Sequence, residues 1–264
     1  MVVLFQHRGD PPRGLSAGLI DRPLRILQVI EATNGGVGRH VLDLCEELIA
    51  RGHEVHVLYS PTRMRPDFES RMRGMPGLEY FAVPMRRSPH PADALAIGAI
   101  YRHVKTHGPF AVLHGHSSKG GAVTRIAALL LGAPAVYTPN AFRTADPTVG
   151  SAQRLIYGLT ERLLASFGSQ TIAVSDDERR QAIDLGFDPR RVHVCLNGLP
   201  RREPSEAVDR AALGIPEDAV VIGFVGRLTH QKAPDRVLDL AVRLQSLPLH
   251  WVVVGDGPLA AVLK

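Results

Sequence analysis

Three short stretches of this 264-residue chain combine residue types and spacings suited to a phosphate-bearing ligand. Asn34-Gly35-Gly36-Val37-Gly38-Arg39 lies between an apolar strand pattern and a helix pattern. Glycines there let the backbone pass close to a ligand, and a helix start offers free N–H groups and a positive dipole to an anion. A tight turn that binds nothing would use the same residues. A dinucleotide-binding loop needs a third glycine three residues after the second and an acid about 20 residues on. Val41 stands where that glycine should be and the next strand runs out in Leu58-Tyr59-Ser60-Pro61, so a nicotinamide enzyme is disfavoured.

The second stretch is His114-Gly115-His116-Ser117-Ser118-Lys119-Gly120-Gly121. Two histidines two apart, without neighbouring Cys or His, make a weak metal pair. Polar residues at a strand's carboxyl end read better as cleft lining, with His116, Ser118 and Lys119 as contacts. The third is Gly226-Arg227-Leu228-Thr229-His230-Gln231-Lys232. Cations five residues apart can clamp a diphosphate and neutralise the charge that develops as it leaves. Ordinary solvated loop cations are the competing reading.

The elements that must hold these residues alternate. Strands are expected at 25–30, 54–59, 80–83, 110–114, 135–138, 171–174 and 192–196. Helices are expected at 37–50, 92–106, 122–131, 152–165 and 176–185. Such alternation implies right-handed βαβ crossovers and a parallel sheet. Prolines 200, 204 and 216 among arginines and glutamates mark a linker at 199–217. A second sheet then starts at 220–226, followed by a helix at 234–247 and a strand at 251–254. The organisation expected is an extension at 1–22, read as disordered, a Rossmann-like domain at 23–198, the linker, and a partial second domain at 218–264. The sequence stops soon after Val254-Gly255-Asp256-Gly257-Pro258, so the second doubly wound domain is expected to be incomplete, with an exposed sheet edge.

Composition narrows the function. Hydrophobic residues make up 45% and charged residues 22%, as in a soluble globular protein. The net charge of +5 favours anionic partners, and 5% aromatics without a basic run argues against nucleic acid. No apolar run approaches the ~20 residues of a membrane span, and residues 1–22 lack a signal-peptide core. Cys45 and Cys195 read as buried thiols of a reducing cytoplasm. Arg63, Arg65, Arg71, Arg73, Arg86 and Arg87, with Met64, Met72, Met75 and Met85 between them, form either a solvated loop or a patch for an anionic membrane at the inner face of the cell membrane.

Taken in order, these motifs, with Arg51-Gly52-His53-Glu54-Val55, Ile172-Ala173-Val174-Ser175 and Asn197-Gly198, resemble family 4 glycosyltransferases. The likeness runs from about residue 24 to the end. It implies a GT-B fold of two Rossmann-like domains and a retaining, metal-free transfer from a nucleotide-diphosphate sugar to a glycan or lipid-linked acceptor, in surface or exopolysaccharide biosynthesis. By the same likeness Gly35, Gly36, Val37 and Gly38 approach the sugar phosphate or the acceptor. Arg227 and Lys232 hold the donor diphosphate and stabilise it as leaving group, and Asn197 marks the end of the first sheet. Where such enzymes often carry a histidine, this chain has Pro139-Asn140-Ala141, and Asn140 can hydrogen-bond a hydroxyl but cannot carry a proton. The family's paired glutamates would fall beyond Lys264, so residues 1–264 alone are expected to bind acceptor but not to transfer sugar. A nucleotide-sugar epimerase of the same fold and a non-catalytic remnant are the alternatives.

Overall fold

The computed structural model describes residues 22–146, 148–199 and 209–261. All but Arg22 of the expected N-terminal extension, and residues 200–208 of the expected linker, lie outside the described residues. The chain divides into two compact units, residues 1–200 and 201–264.

The first unit is a seven-stranded parallel sheet: β1 (Arg25–Ile30), β2 (Glu54–Tyr59), β3 (Leu78–Ala82), β4 (Val112–His116), β5 (Ala135–Thr138), β6 (Gln170–Ala173) and β7 (Val192–Val194). Its order is β3-β2-β1-β4-β5-β6-β7. The chain winds outward from β1 to β3, then returns to β4 and winds the other way, so β1 and β4 flank the switch point where doubly wound sheets bind ligands. Register aligns their ends: Ile30 pairs with Tyr59 and His116, and His116 pairs with Thr138.

The helices are α1 (Gly35–Ala50), α2 (Pro66–Arg73), α3 (Asp93–His107), α4 (Ser117–Leu131), α5 (Ser151–Ala165) and α6 (Asp176–Asp184). Strand side chains alternate between two cores. Leu27 and Val29 join α3 and α4 residues such as Ile100 and Val123. Ile30, Val55 and Val57 join Val41, Leu42 and Cys45 of α1 and Phe68 and Met72 of α2. The second unit comprises β8 (Val220–Val225), α7 (Pro234–Arg243) and β9 (Leu249–Val254), with β8 and β9 parallel and in register from Val220↔Leu249 to Val225↔Val254. Among the described residues no helix is long and apolar enough to cross a membrane.

Three expectations are corrected. The arginine- and methionine-rich stretch is not simply a solvated loop, because it contains α2. Phe68 and Met72 of that helix are core residues, Met85 is buried, and Met64 and Met75 pack against the core. Arg71 pairs with Asp43 and Glu46 and Arg73 with Glu69, and the buried Met72 and Met85 are not presented at the surface. β4 continues to His116 and α4 begins at Ser117, five residues earlier than expected. Lys119-Gly120-Gly121 therefore lies inside α4, near its start. Its glycines serve packing, since a Cβ at Gly120 would strike the Val29 carbonyl and one at Gly121 the Tyr137 ring. Finally, Cys195 is exposed, one residue past β7; Cys45 is buried, its thiol pushed up to about 12 chiefly by burial.

Candidate functional site

The carboxyl ends of β1, β4 and β5 converge with two helix starts. The N-cap residues of α1 and α4, Asn34 and His116, make no side-chain cap, and neither first turn holds an acid. In α6, by contrast, Ser175 caps the Glu178 N–H at 3.0 Å and three acids fill the first turn. Free N–H groups and positive dipole ends therefore gather at the switch point, the arrangement that draws an anion.

The three glycines of the first loop have different reasons. Gly35 takes a φ of +68°, which favours glycine. At Gly38 a Cβ would run into the Thr33 carbonyl oxygen. Gly36 is exposed, and a Cβ there would meet nothing. Nothing in the fold around position 36 requires glycine. Gly36→Ala is expected to leave thermal stability within about 0.5 kcal/mol of the parent while weakening binding of the ligand seated there. Gly38→Ala should cost about 1–3 kcal/mol through overpacking. Paired melting and titration measurements check both, and equal losses of stability would refute the distinction.

Beneath the loops lies a buried histidine pair. His114 Nε2 is 2.8 Å from Thr138 Oγ1, and His116 Nε2 donates to Gln28 Oε1 at 2.7 Å as the amide is assigned. The two rings are 4.0 Å apart, and His40 of α1 meets His116 edge-on at 5.8 Å. Burial drives His114 down to about 3 and His116 well below its ordinary value, with neighbouring imidazoles adding to the fall. Burial also lowers His40, against the pull of Asp43. All three rings are neutral at neutral pH, so they act as hydrogen-bonding groups and not as cations. His116 Nδ1 and Gln28 Nε2 are buried without a hydrogen-bond partner.

Lys119 does not reach out as a ligand cation. It is buried, and its ammonium is taken up by Asp93 and by the Ser88 carbonyl at 2.9 Å, fastening the β3–α3 loop to α4. Ser118 is half-buried in the first turn of α4. Ser117, Asn140 and Ala141 hold φ values of 59°, 51° and 78°, left-handed geometry that non-glycine residues adopt at a cost. Asn140 Nδ2 turns back to the Thr138 carbonyl at 3.3 Å. Buried Glu178 braces this turn, accepting from Ala141 N at 2.6 Å and Val174 N at 2.7 Å, and burial raises its carboxyl. Arg143 pairs with Asp146, which lies 4.0 Å from Arg87, so cations of the β3–α3 and β5–α5 loops meet on one carboxylate. Asn197 is exposed beyond β7, three strands from β4, and is not gathered with the others.

In the second unit, Arg227 and Lys232 are exposed and form no ion pair among the described residues. Their loop is held to the one after β9: Gly226 N donates to Val254 O, Leu228 N to Asp256 O and Leu259 N to Leu228 O, each at 3.0 Å. Leu228 is buried beneath it. A Cβ at Gly255 would strike the Gly226 carbonyl, so the two loops need glycine to interlock. Among the described residues no three His, Cys, Asp or Glu side chains converge as metal ligands.

A profile of the glycosyl transferase 4-like domain matches residues 35–198. The chain is 29% identical over 243 residues to D-inositol 3-phosphate glycosyltransferase of Mycobacterium tuberculosis, covering 85% of this chain and 49% of that protein. It thus spans about half the length of the curated relatives it matches. Among solved structures, the Anabaena protein HepE in complex with UDP-glucose aligns with a TM-score of 0.65 at 20% identity, over 88% of this chain and 61% of that one. A putative UDP-N-acetylglucosamine 2-epimerase from Listeria monocytogenes aligns with a TM-score of 0.53 at 11% identity, over 88% and 62%. Both share the GT-B-like α/β architecture of paired Rossmann-like domains.

Proposed function

Because the chain belongs to the glycosyl transferase 4-like domain family, we propose that its first unit binds the acceptor and its Arg227–Lys232 loop binds the diphosphate of a nucleotide-sugar donor, in a sugar transfer that proceeds with retention. The observation that carries this reading is the pair of uncapped, acid-free helix starts of α1 and α4 at one switch point, beside a glycine that folding does not require. Anion-binding geometry is what handling a sugar phosphate demands.

Retention requires the acceptor oxygen to attack the face from which the diphosphate departs. The bond from the anomeric carbon to the diphosphate breaks, the bond to the acceptor oxygen forms, and the departing phosphate oxygen can take the acceptor's proton. Arg227 and Lys232 would neutralise the charge growing on that leaving group, without need of a metal ion. A uridine donor is supported by the complex of the Anabaena neighbour with UDP-glucose. An anionic acceptor is suggested by the inositol 3-phosphate in the name of the mycobacterial relative. A phosphorylated polyol or a lipid-linked phosphate both fit, and surface-glycan assembly is the role we assign.

Titration calorimetry tests the donor assignment. Arg227→Ala and Lys232→Ala should each raise the Kd for UDP by about tenfold or more, the scale of one lost hydrogen bond to a charged group. A chelator should leave that affinity unchanged. UDP binding indifferent to both substitutions would remove the loop from the donor site. An epimerase would convert the nucleotide sugar with no acceptor present, so the donor incubated alone separates the two enzyme classes.

A further inference from the structure

Glu178 is a buried carboxylate, 4% exposed, that no cation among the described residues pairs with. Burying an unpaired charge is costly unless hydrogen bonds replace the water it loses. Here they come from two backbone N–H groups, Ala141 N to Oε1 at 2.6 Å and Val174 N to Oε2 at 2.7 Å. The spacing of Ser175 and Glu178 is that of a capping box, and Ser175 Oγ accepts from Glu178 N at 3.0 Å. In such a box the glutamate returns to the N–H of the capping residue itself. Glu178 instead reaches one residue further back and, with its other oxygen, 37 residues along the chain to the turn after β5.

That turn needs holding. Asn140 and Ala141 are consecutive non-glycine residues with φ of 51° and 78°, a pairing that persists only where the surroundings fix it. Phe142 anchors one end in the core with Tyr137 and Phe187. Asn140 Nδ2 turns back to the Thr138 carbonyl, and the Glu178 carboxylate holds the Ala141 N–H. Two N–H groups meet two oxygens, which glutamine would not supply, since its NH2 would face one of them. The turn also stands at the switch point. Thr138, two residues before Asn140, pairs in register with His116, and its hydroxyl lies against His114. With Nδ2 on the Thr138 carbonyl, Asn140 Oδ1 accepts nothing from the described residues and is left to receive a hydroxyl.

We propose that Glu178 is a positioning residue: by holding the Asn140–Ala141 turn in its left-handed form, it sets Asn140 Oδ1 to accept from a hydroxyl of the acceptor polyol. This role rests on the acceptor reading given above to the first unit. Bracing of Phe142 alone would affect stability and leave ligand affinity untouched.

Amide hydrogen exchange and titration calorimetry on the 264-residue chain test the two halves separately. In Glu178→Gln the Ala141 N–H should exchange at least about tenfold faster relative to the β1 amides of the same protein, because only the turn opens. Phe187→Leu, which thins the same core and leaves the carboxylate in place, should speed both alike. With inositol 3-phosphate as probe, Asn140→Ala and Glu178→Gln should each raise the Kd about fivefold, and the double variant no further. Phe187→Leu should leave that Kd unchanged. An unchanged exchange ratio at Ala141 overturns the proposal, as does a Kd that Glu178→Gln leaves at the parent's value, or losses that add in the double variant. Asn140→Ala alters only a half-buried side chain, so an unchanged Kd there overturns it independently. A parent chain that does not bind the probe overturns the acceptor reading and the hydroxyl contact together, and the exchange ratio then still decides whether Glu178 holds the turn.

Discussion

Replacing Glu161 by alanine is expected to lower the stability of the first unit by about 3–5 kcal/mol and its melting temperature by roughly 10 °C. Glu161 Oε2 accepts from Arg125 Nη2 at 2.7 Å, and its Oε1 accepts from the Tyr137 hydroxyl at 2.8 Å. Arg125 is fully buried, lies 4.1 Å above the Tyr137 ring and donates from Nε to the Gly121 carbonyl. One carboxylate therefore serves a guanidinium and a phenol that water does not reach. Without it the guanidinium keeps its charge in a low-dielectric site, and that stranded charge is the main cost. The pair itself adds less, because desolvation offsets its attraction. Arg125→Met/Glu161→Leu should accordingly regain most of what the single substitution loses. Urea and thermal unfolding of the three proteins decide it. A single-variant loss below about 1 kcal/mol would show that water enters and solvates Arg125.

That triad also shows where sequence reading stops. The seven strands of the first sheet were legible because parallel strands buried on both faces read as short apolar runs between helical patterns. Their boundaries slipped where local chemistry misled. Gly120 and Gly121 stand before the expected helix start at 122, yet they are helical residues that allow α4 to lie against β1 and Tyr137. Helix α2 is strongly polar apart from Phe68 and Met72, too few apolar positions to show a period. The glycine loop and the Arg227–Lys232 loop were legible because strand-end turns carry local signatures. Gln28 and Glu178 were not, for they join the candidate site through long-range hydrogen bonds, Gln28 with His116 and Glu178 with Ala141, and His40 joins it through a ring contact with His116. Lys119 misled in the opposite sense. A cation beside a cleft invites a ligand role, and only the placement of Asp93 reveals that its charge is already matched.

The stability of the first unit should fall by about 3 kcal/mol between pH 6.5 and about pH 5, through its buried histidines. His114 titrates at about 3 and His116 well below the ordinary 6.5, both mainly because burial disfavours the imidazolium. The unfolded chain takes up a proton on each below about 6.5 while the folded chain does not. Unfolding is therefore favoured as pH falls, by about 1.4 kcal/mol per pH unit for each histidine. The loss begins near 6.5 and continues until the folded rings protonate, near 3 for His114. His103, lowered to about 4 by burial and by His107 and His56, acts in the same direction but more weakly, because its ring is only half-buried. Carboxylates do not counterfeit the effect. Asp146, held low mainly by Thr148, and Asp188, held low by Arg190, lose their stabilisation only below their ordinary 3.8. Glu178, raised by burial, opposes the histidines weakly near the bottom of the window. Urea denaturation at stepped pH measures the slope, and His114→Gln, which cannot titrate, should remove close to half of it. A stability flat from pH 6.5 to 5 would mean that the pair protonates within the fold, with water or a bound anion reaching His116 Nδ1 beneath the open starts of α1 and α4.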